Sequence, residues 1–256
     1  MREQIFPELT GSTEIKHRDK HGDEVIKMSF IRGNKFYFSA CPEYEEEWKT
    51  RKADEKKRVK ESRKRQWIEL CLDNCGIPKR FRDCSFEKFK ADKESAKALK
   101  IAERYTESFS ERRDVGASLI FCGKPGTGKT HLACAIVLSL IKSGISSAVY
   151  TTIFKAIQAV KDTYRSHERS ENDVIKEFVS PGLLVVDEVG VQYGSDAEKM
   201  IFYQILNGRY EDVKPTILIS NLTAAELTEF IGDRCMDRMK EGGGIVVPFT
   251  WKSYRK

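Results

Sequence analysis

Gly123-Lys124-Pro125-Gly126-Thr127-Gly128-Lys129-Thr130 satisfies every fixed position of the phosphate-binding loop pattern G-x-x-x-x-G-K-[ST]. The residues before it, Ser118-Leu119-Ile120-Phe121-Cys122, are small to apolar and read as a buried parallel strand. The residues after it place Leu132, Ala133, Ile136, Val137, Leu140 and Ile141 on one helical face. A strand, a glycine-rich loop and a helix in this order separate a nucleotide site from a chance match. Glycines let successive backbone N–H groups curl around phosphate oxygens, and the helix N-terminus adds positive potential. Lys129 can reach the β- and γ-phosphates, and Thr130 can ligate Mg²⁺. His131 closes the expected nucleotide-binding run 123–131.

A second stretch completes the centre. Leu183-Leu184-Val185-Val186-Asp187-Glu188 is a hydrophobic strand ending in two carboxylates, some 53 residues after the loop. Ligands of open α/β sheets bind at the carboxyl ends of strands. Asp187 is therefore expected to hold Mg²⁺ through water, and Glu188 to polarise the attacking water. The strand Thr216–Ser220 ends in Asn221. Asn221 can orient water without adding charge, or it can begin the next turn or cap the helix from Thr223. Arg234 and Arg238 are four apart and share a helix face. They can complete a neighbour's active site, or pair with Asp233 and Asp237 at the surface.

The 256 residues suffice for one substantial domain and a smaller appendage. The net charge of +6 is unevenly spread. Lys49 to Arg65 carries ten Lys/Arg against three Asp/Glu, a local +7 that leaves the remainder near −1. The seven cysteines form no C-x-x-C pair, and Cys122 and Cys134 fall in a strand and a helix expected to be buried. That usage fits a reducing compartment. The start has no apolar signal core, and the longest apolar run, Leu132 to Ile141, is too short to span a bilayer. The expectation is a soluble, cytoplasmic protein.

Residues 1–42 form a small segment in which Val25 to Phe30 and Lys35 to Ser39 can pair across Arg32-Gly33-Asn34. A charged helical arm or solvated linker follows at 43–75, helical from Glu43 to about Leu72. The α/β domain occupies 76–256, with strands expected at 118–122, 148–151, 183–187, 216–220 and 245–248. Helical segments between them imply a parallel sheet covered on both faces. Eight residues follow the last strand, too few for a C-terminal lid domain.

Taken together, the motifs resemble the AAA+ ATPases, and among them the DnaC-type replicative helicase loaders. The resemblance is carried over 76–256 by Gly76-Ile77-Pro78-Lys79-Arg80-Phe81-Arg82, the loop Gly123–Thr130, Asp187-Glu188-Val189-Gly190-Val191-Gln192, Ser220-Asn221, Arg234-Cys235-Met236-Asp237-Arg238-Met239 and Trp251-Lys252-Ser253-Tyr254-Arg255. It implies an AAA+ P-loop core binding ATP and Mg²⁺, self-assembly through the ATP site, and two partners: a replicative hexameric helicase and single-stranded DNA. It implies that Asn221 senses the γ-phosphate, that Arg238 rather than Arg234 is the arginine finger, and that Arg255 reaches the nucleotide from the tail. It also implies that Ile77–Phe81 lies near the adenine. Lys161-Asp162-Thr163-Tyr164-Arg165 resembles the helical insertion facing DNA, where Tyr164 supplies a stacking ring unless it packs in the core. Ser195 is the second candidate DNA contact.

Some phage loaders carry a zinc-ribbon-like N-terminus. Here His17, His21 and Cys41 are three ligands, short of the four a closed structural site requires, so a zinc-less remnant is expected. Two rival readings remain. One is an IstB-type transposition helper with nearly the same core. The other is a nucleic-acid-binding adaptor whose ATP site is structural and whose basic residues 49–65 grip phosphates.

Overall fold

The computed structural model describes the backbone of residues 14–19, 22–31, 35–38, 42–165, 169–191 and 195–254, and side chains within these ranges from residue 49 onward. The chain divides into two units, Met1–Arg65 and Gln66–Lys256.

In the first unit, β1 (Glu14–Asp19), β2 (Gly22–Ile31) and β3 (Lys35–Phe38) form an antiparallel sheet in the order β1-β2-β3. The expected β2–β3 hairpin is present, with Ile31 opposite Lys35. Strand β1 was not expected. Its sequence Glu-Ile-Lys-His-Arg-Asp has no apolar alternation, and its place is set by pairing with β2 from Asp19↔Gly22 to Glu14↔Lys27. Helix α1 runs Pro42–Asn74 and is exposed from 49 to 67. In the second unit its last turns lay Ile68, Cys71 and Leu72 on the hydrophobic core, which gives the far end of a polar helix a packing surface.

The second unit is built on a five-stranded parallel sheet, β4 (Leu119–Gly123), β5 (Ala148–Thr152), β6 (Leu183–Val189), β7 (Thr216–Ser220) and β8 (Ile245–Phe249), in the order β5-β6-β7-β4-β8. Side chains alternate across it as the two-residue period of a strand requires. Leu119, Phe121, Leu183, Val185, Ile217 and Ile219 face one core, with α2 (Ala96–Glu107) and α4 (Lys129–Ser143). Ile120, Leu184, Val186 and Leu218 face the other, with α5 (Ile153–Asp162), α6 (Glu171–Val179), α7 (Asp196–Glu211), α8 (Ala224–Ile231) and α9 (Asp233–Lys240). Parallel strands covered on both faces are uniformly apolar, as these are.

Helix α4 departs from the one-sided pattern. Cys134, Ala135 and Leu138 are buried as well, because α2 covers the side of α4 turned away from the sheet. Among the described residues no helix is long and apolar enough to cross a membrane. The described cysteines Cys71, Cys75, Cys84, Cys122, Cys134 and Cys235 are free thiols, and burial raises the Cys134 thiol well above its ordinary value.

The most deeply buried charge among the described residues is an arginine. Arg209 on α7 is 1% exposed. Its Nε donates to Thr216 Oγ1 at 2.9 Å, and Nη2 donates to Pro215 O at 2.6 Å. Nη1 is shared by the carbonyls of Phe178, Val179 and Pro181 at 2.9 to 3.0 Å. The guanidinium thus satisfies carbonyls left unpaired at the end of α6, which a helix C-terminus cannot satisfy itself. Burial lowers its pKa to about 9, which leaves it charged at neutral pH. Replacing it by Met leaves several carbonyls buried without donors. Arg209→Met should cost about 3 kcal/mol or more. Thermal denaturation should show the midpoint falling by about 6–12 °C; an unchanged midpoint would mean these carbonyls find other donors.

Candidate nucleotide site

The phosphate loop leaves β4 at Gly123 and enters α4 at Lys129. Three of its glycines adopt left-handed backbone: Gly123 (φ 117°), Gly126 (φ 74°) and Gly128 (φ 93°). Space also matters. A Cβ on Gly123 would meet Phe249 O at 2.5 Å, and one on Gly128 would meet the Phe89 ring at 2.5 Å. The loop is therefore pressed from outside into its curl. The backbone N–H groups of Gly126, Thr127 and Gly128 donate to no atom of the described residues. Buried Lys129, 5% exposed, donates from Nζ to Gly123 O and Lys124 O, each at 2.7 Å. Consecutive unsatisfied donors beside a buried ammonium fit an anion with several oxygens.

Three chain segments brace this loop. Gly123 N–H donates to Leu222 O at 2.8 Å. From the C-terminal segment, Phe249 O accepts from Lys124 N–H at 2.9 Å, and Trp251 Nε1–H donates to Thr127 O at 3.1 Å. Tyr254 N–H donates to Gly126 O at 2.9 Å, while its hydroxyl donates to Ser95 Oγ at 2.8 Å. The Tyr254 ring stands edge-on to Phe89. The third segment, 85–95, also holds His131, whose Nε2 lies 2.8 Å from Ser85 O. The His131 ring also lies next to Phe89.

Beside the loop, Asp187 ends the apolar run of β6 and is 7% exposed. Its Oδ2 accepts from Thr130 Oγ1 at 2.8 Å and from Tyr150 OH at 2.7 Å, and its Oδ1 accepts from Glu188 N–H at 2.7 Å. A carboxylate and a threonine hydroxyl in contact beside a phosphate loop are the hard oxygen donors that Mg²⁺ takes. Tyr150 is the residue that sequence reasoning missed. It precedes Asp187's register partner Thr152 by two positions on β5, on the same face, and its long side chain spans the gap. Burial first, then the neighbouring Asp187 charge, raises its pKa far above the ordinary phenol value, so it remains a donor.

Glu188 follows in left-handed backbone (φ 63°), rare for a residue with a Cβ. The β6–β7 ladder shifts register between Val186 and Val189, so Glu188 leaves the ladder and its side chain is exposed. Such strain at a strand end is typical of functional centres. Asn221 is exposed just past β7. Ser220 donates its hydroxyl to Val189 O and accepts from Leu222 N–H. The turn carrying Asn221 is therefore stitched between β6 and the loop. The capping alternative for Asn221 is removed, because Thr223 caps α8 through its own side chain.

Arg238 lies elsewhere. Its guanidinium lies 4.7 Å from the centre of the Tyr210 ring and donates to Tyr203 OH and Asn207 Oδ1. It lines a cavity of about 360 Å³ with Ser118 and Thr216, at the amino ends of β4 and β7. The length of a strand, about 16 Å, separates that end from the phosphate loop. Arg234, one turn earlier on α9, is exposed. The surface-pairing alternative does not describe Arg238, whose partners are Tyr203, Asn207 and Tyr210 rather than Asp233 or Asp237.

Tyr164 is 57% exposed with its hydroxyl 3.3 Å from Glu171 Oε2, so the core alternative for it fails. The segment 161–165 is the end of α5 and a turn, rather than a helix of its own. Ser195 is exposed at the start of α7, its N–H donating to Glu198 Oε2. An ion pair from Lys161 to Glu198, 2.6 Å long, ties the end of α5 to this start of α7. Ile77 is buried and Phe81 half-buried beside it. Arg255, Gln192, His21 and Cys41 lie outside the described residues, as does the His17 side chain.

A doubly covered parallel sheet with this loop at its carboxyl edge defines a P-loop nucleotide-binding protein. A family model described as IstB-like ATP binding protein matches residues 44–256. The replicative helicase loader DnaC of Escherichia coli K12 is 39% identical over 73% of this chain and 76% of its own length. A crystal structure of the DnaC helicase loader superposes with a TM-score of 0.59 at 22% identity, over 68% of this chain and all of that one. AMPPCP-bound DnaA from Aquifex aeolicus superposes with a TM-score of 0.56 at 24% identity, over 65% of this chain and 50% of its own. The chain belongs to the IstB-like ATP-binding family, among the DnaC replicative helicase loaders.

The Tyr150 hydroxyl gives this site a test of its own. Tyr150→Phe should raise the Mg²⁺ concentration needed for half-maximal binding of a fluorescent ATP analogue by about 10-fold, as loss of an outer-shell partner does. An unaltered Mg²⁺ dependence would mean that Asp187 is held without it.

Proposed function

We propose that this protein loads a replicative hexameric helicase onto single-stranded DNA, with ATP hydrolysis as the switch between assembly and release. The observation that carries this reading is the 39% identity to a DnaC loader, together with the phosphate loop, Asp187 and Glu188 in one centre. The loop N–H groups and Lys129 hold the triphosphate, and Thr130 and Asp187 hold Mg²⁺. Bound Mg²⁺ neutralises charge on the phosphates. Glu188 takes the role of orienting the attacking water, and its exposed, outward-turned side chain suits that role. Asn221 aligns the same water from the neighbouring strand end.

Arg238 serves the ATP of a second copy rather than its own, a reading supported by its position at the opposite end of the sheet. Hydrolysis would then report that neighbours are assembled. Single-stranded DNA meets Tyr164 and Ser195, with Tyr164 offering a ring for base stacking. Residues 1–43, outside the family match, are assigned to partner choice.

The test uses the full chain and Glu188→Gln. The variant should bind ATP with wild-type affinity, lose turnover by about 100-fold or more, and co-elute with a hexameric replicative helicase when ATP is present. Unaltered turnover would remove Glu188 from the mechanism. Co-elution with a transposase instead of a helicase would favour the IstB-type reading.

A further inference from the structure

Helix α1 carries a local charge of +7 between Lys49 and Arg65, and the helix decides where that charge goes. At about 100° per residue, Lys56, Lys57, Lys60, Arg63 and Lys64 fall within a wedge of about 120°. Lys49 and Lys52 continue the same face toward the N-terminus. The opposite wedge carries Arg51, Arg58 and Arg65 together with Asp54, Glu55 and Glu61. Arg51 and Glu55, Asp54 and Arg58, and Glu61 and Arg65 each stand four apart there, at the spacing of helix-stabilising pairs. That face is neutral. The whole excess of seven charges therefore lies along one ridge, of which Glu61 borders only the edge.

Every residue from Lys49 to Trp67 is exposed. Lys49 and Lys52 already take part in other interactions, so the ridge is carried by Lys56, Lys57, Lys60, Arg63 and Lys64. None of these five has an ion-pair partner among the described residues.

We propose that this lysine ridge binds the phosphodiester backbone of nucleic acid, without reading sequence. The chemistry of the face selects the partner. A protein-binding helix needs apolar or aromatic anchors, and lysine is depleted from interface cores. Within 49–66 the only large apolar residue is Val59, which lies off the ridge; Trp67 follows on the ridge's own line, a single exposed ring of the kind on which a base can stack. A membrane-surface helix needs an apolar face, and α1 has none over this span. A coiled-coil partner needs an a/d seam, also lacking. What remains is a row of mobile point charges about one turn apart. These neutralise a polyanion and release its counterions. The inference does not rest on the helicase-loading role, since it uses no residue of the ATP site and needs no nucleotide.

The experiment measures binding of the full chain without ATP to a fluorescent oligothymidylate and to a mixed-sequence duplex across a salt series. Two triple variants are compared: Lys56→Gln/Lys60→Gln/Arg63→Gln on the ridge, and Arg51→Gln/Arg58→Gln/Arg65→Gln opposite. Both remove three positive charges. The ridge triple should weaken binding at least 10-fold at low salt. It should also flatten the plot of log affinity against log salt by about 2 for the single strand or about 3 for the duplex. The opposite triple should change the slope by less than half as much. The two probes distinguish single-stranded from duplex backbone. Equal loss in both triples would reduce the effect to net charge and overturn the ridge. So would unchanged DNA affinity in the ridge triple together with lost binding to an acidic protein partner. Circular dichroism of both variants, showing equal helix content, excludes unfolding as the cause. A loader that fails with the Glu188 variant while the ridge effect persists separates this inference from the proposed function.

Discussion

The nucleotide site is organised around one buried carboxylate. Asp187 lies at the end of an apolar strand, where a charge is tolerated only if its oxygens are satisfied. Three donors from three elements do this: Thr130 at the start of α4, Tyr150 on β5, and the Glu188 backbone just beyond. Each partner is a constraint on architecture. The Thr130 contact requires the phosphate loop to lie beside the end of β6, although β7 stands between β4 and β6 in the sheet. The Tyr150 contact sets the height of β5 against β6. The bond from Glu188 N–H accompanies the left-handed turn that sends the Glu188 side chain outward. Satisfying one charge thus brings together the parts that phosphate and metal chemistry would need.

The other end of the sheet follows a different logic. There a buried cation, Arg209, is held by carbonyls and the Thr216 hydroxyl, and half-buried Arg238 is held by rings and an amide. Guanidinium groups suit such places because they are weakly hydrated and planar, with several donors. The two edges have opposite character. The carboxyl edge offers unsatisfied N–H groups and waits for an anion. The amino edge holds arginine that its own anion site cannot use. The proposed head-to-tail contact between copies, a heterologous one, rests on this difference between the two ends.

What was legible in the sequence was whatever is local. The strand–loop–helix around Lys129 and the carboxylates after Val186 are contiguous patterns whose periodicity states their place. The five parallel strands were found within two residues at each end for the same reason. What was not legible depends on neighbours distant in sequence. Tyr150 is an ordinary strand aromatic until β5 is set beside β6. Arg209 sits on a helix and, by type, belongs to the surface; only the carbonyl ends of α6 and of the segment before β7 explain its burial. Strand β1 has no hydrophobic signature because it is stabilised by backbone pairing. The all-round burial of α4 required α2, whose packing against α4 no motif announces.

The hydrogen bonds from Trp251 and Tyr254 to the phosphate loop have a consequence for the order of synthesis. The loop and the residues that brace it are separated by more than 120 positions, and β8 is the last strand to join, next to β4. A ribosome makes residues 123–130 long before it makes 249–254. During that interval the glycine-rich loop has neither its outer wall of Phe249 nor its two tail donors. The nascent chain therefore carries a complete phosphate-loop motif without the surroundings that shape it. Pairings so distant in sequence slow the folding of a chain.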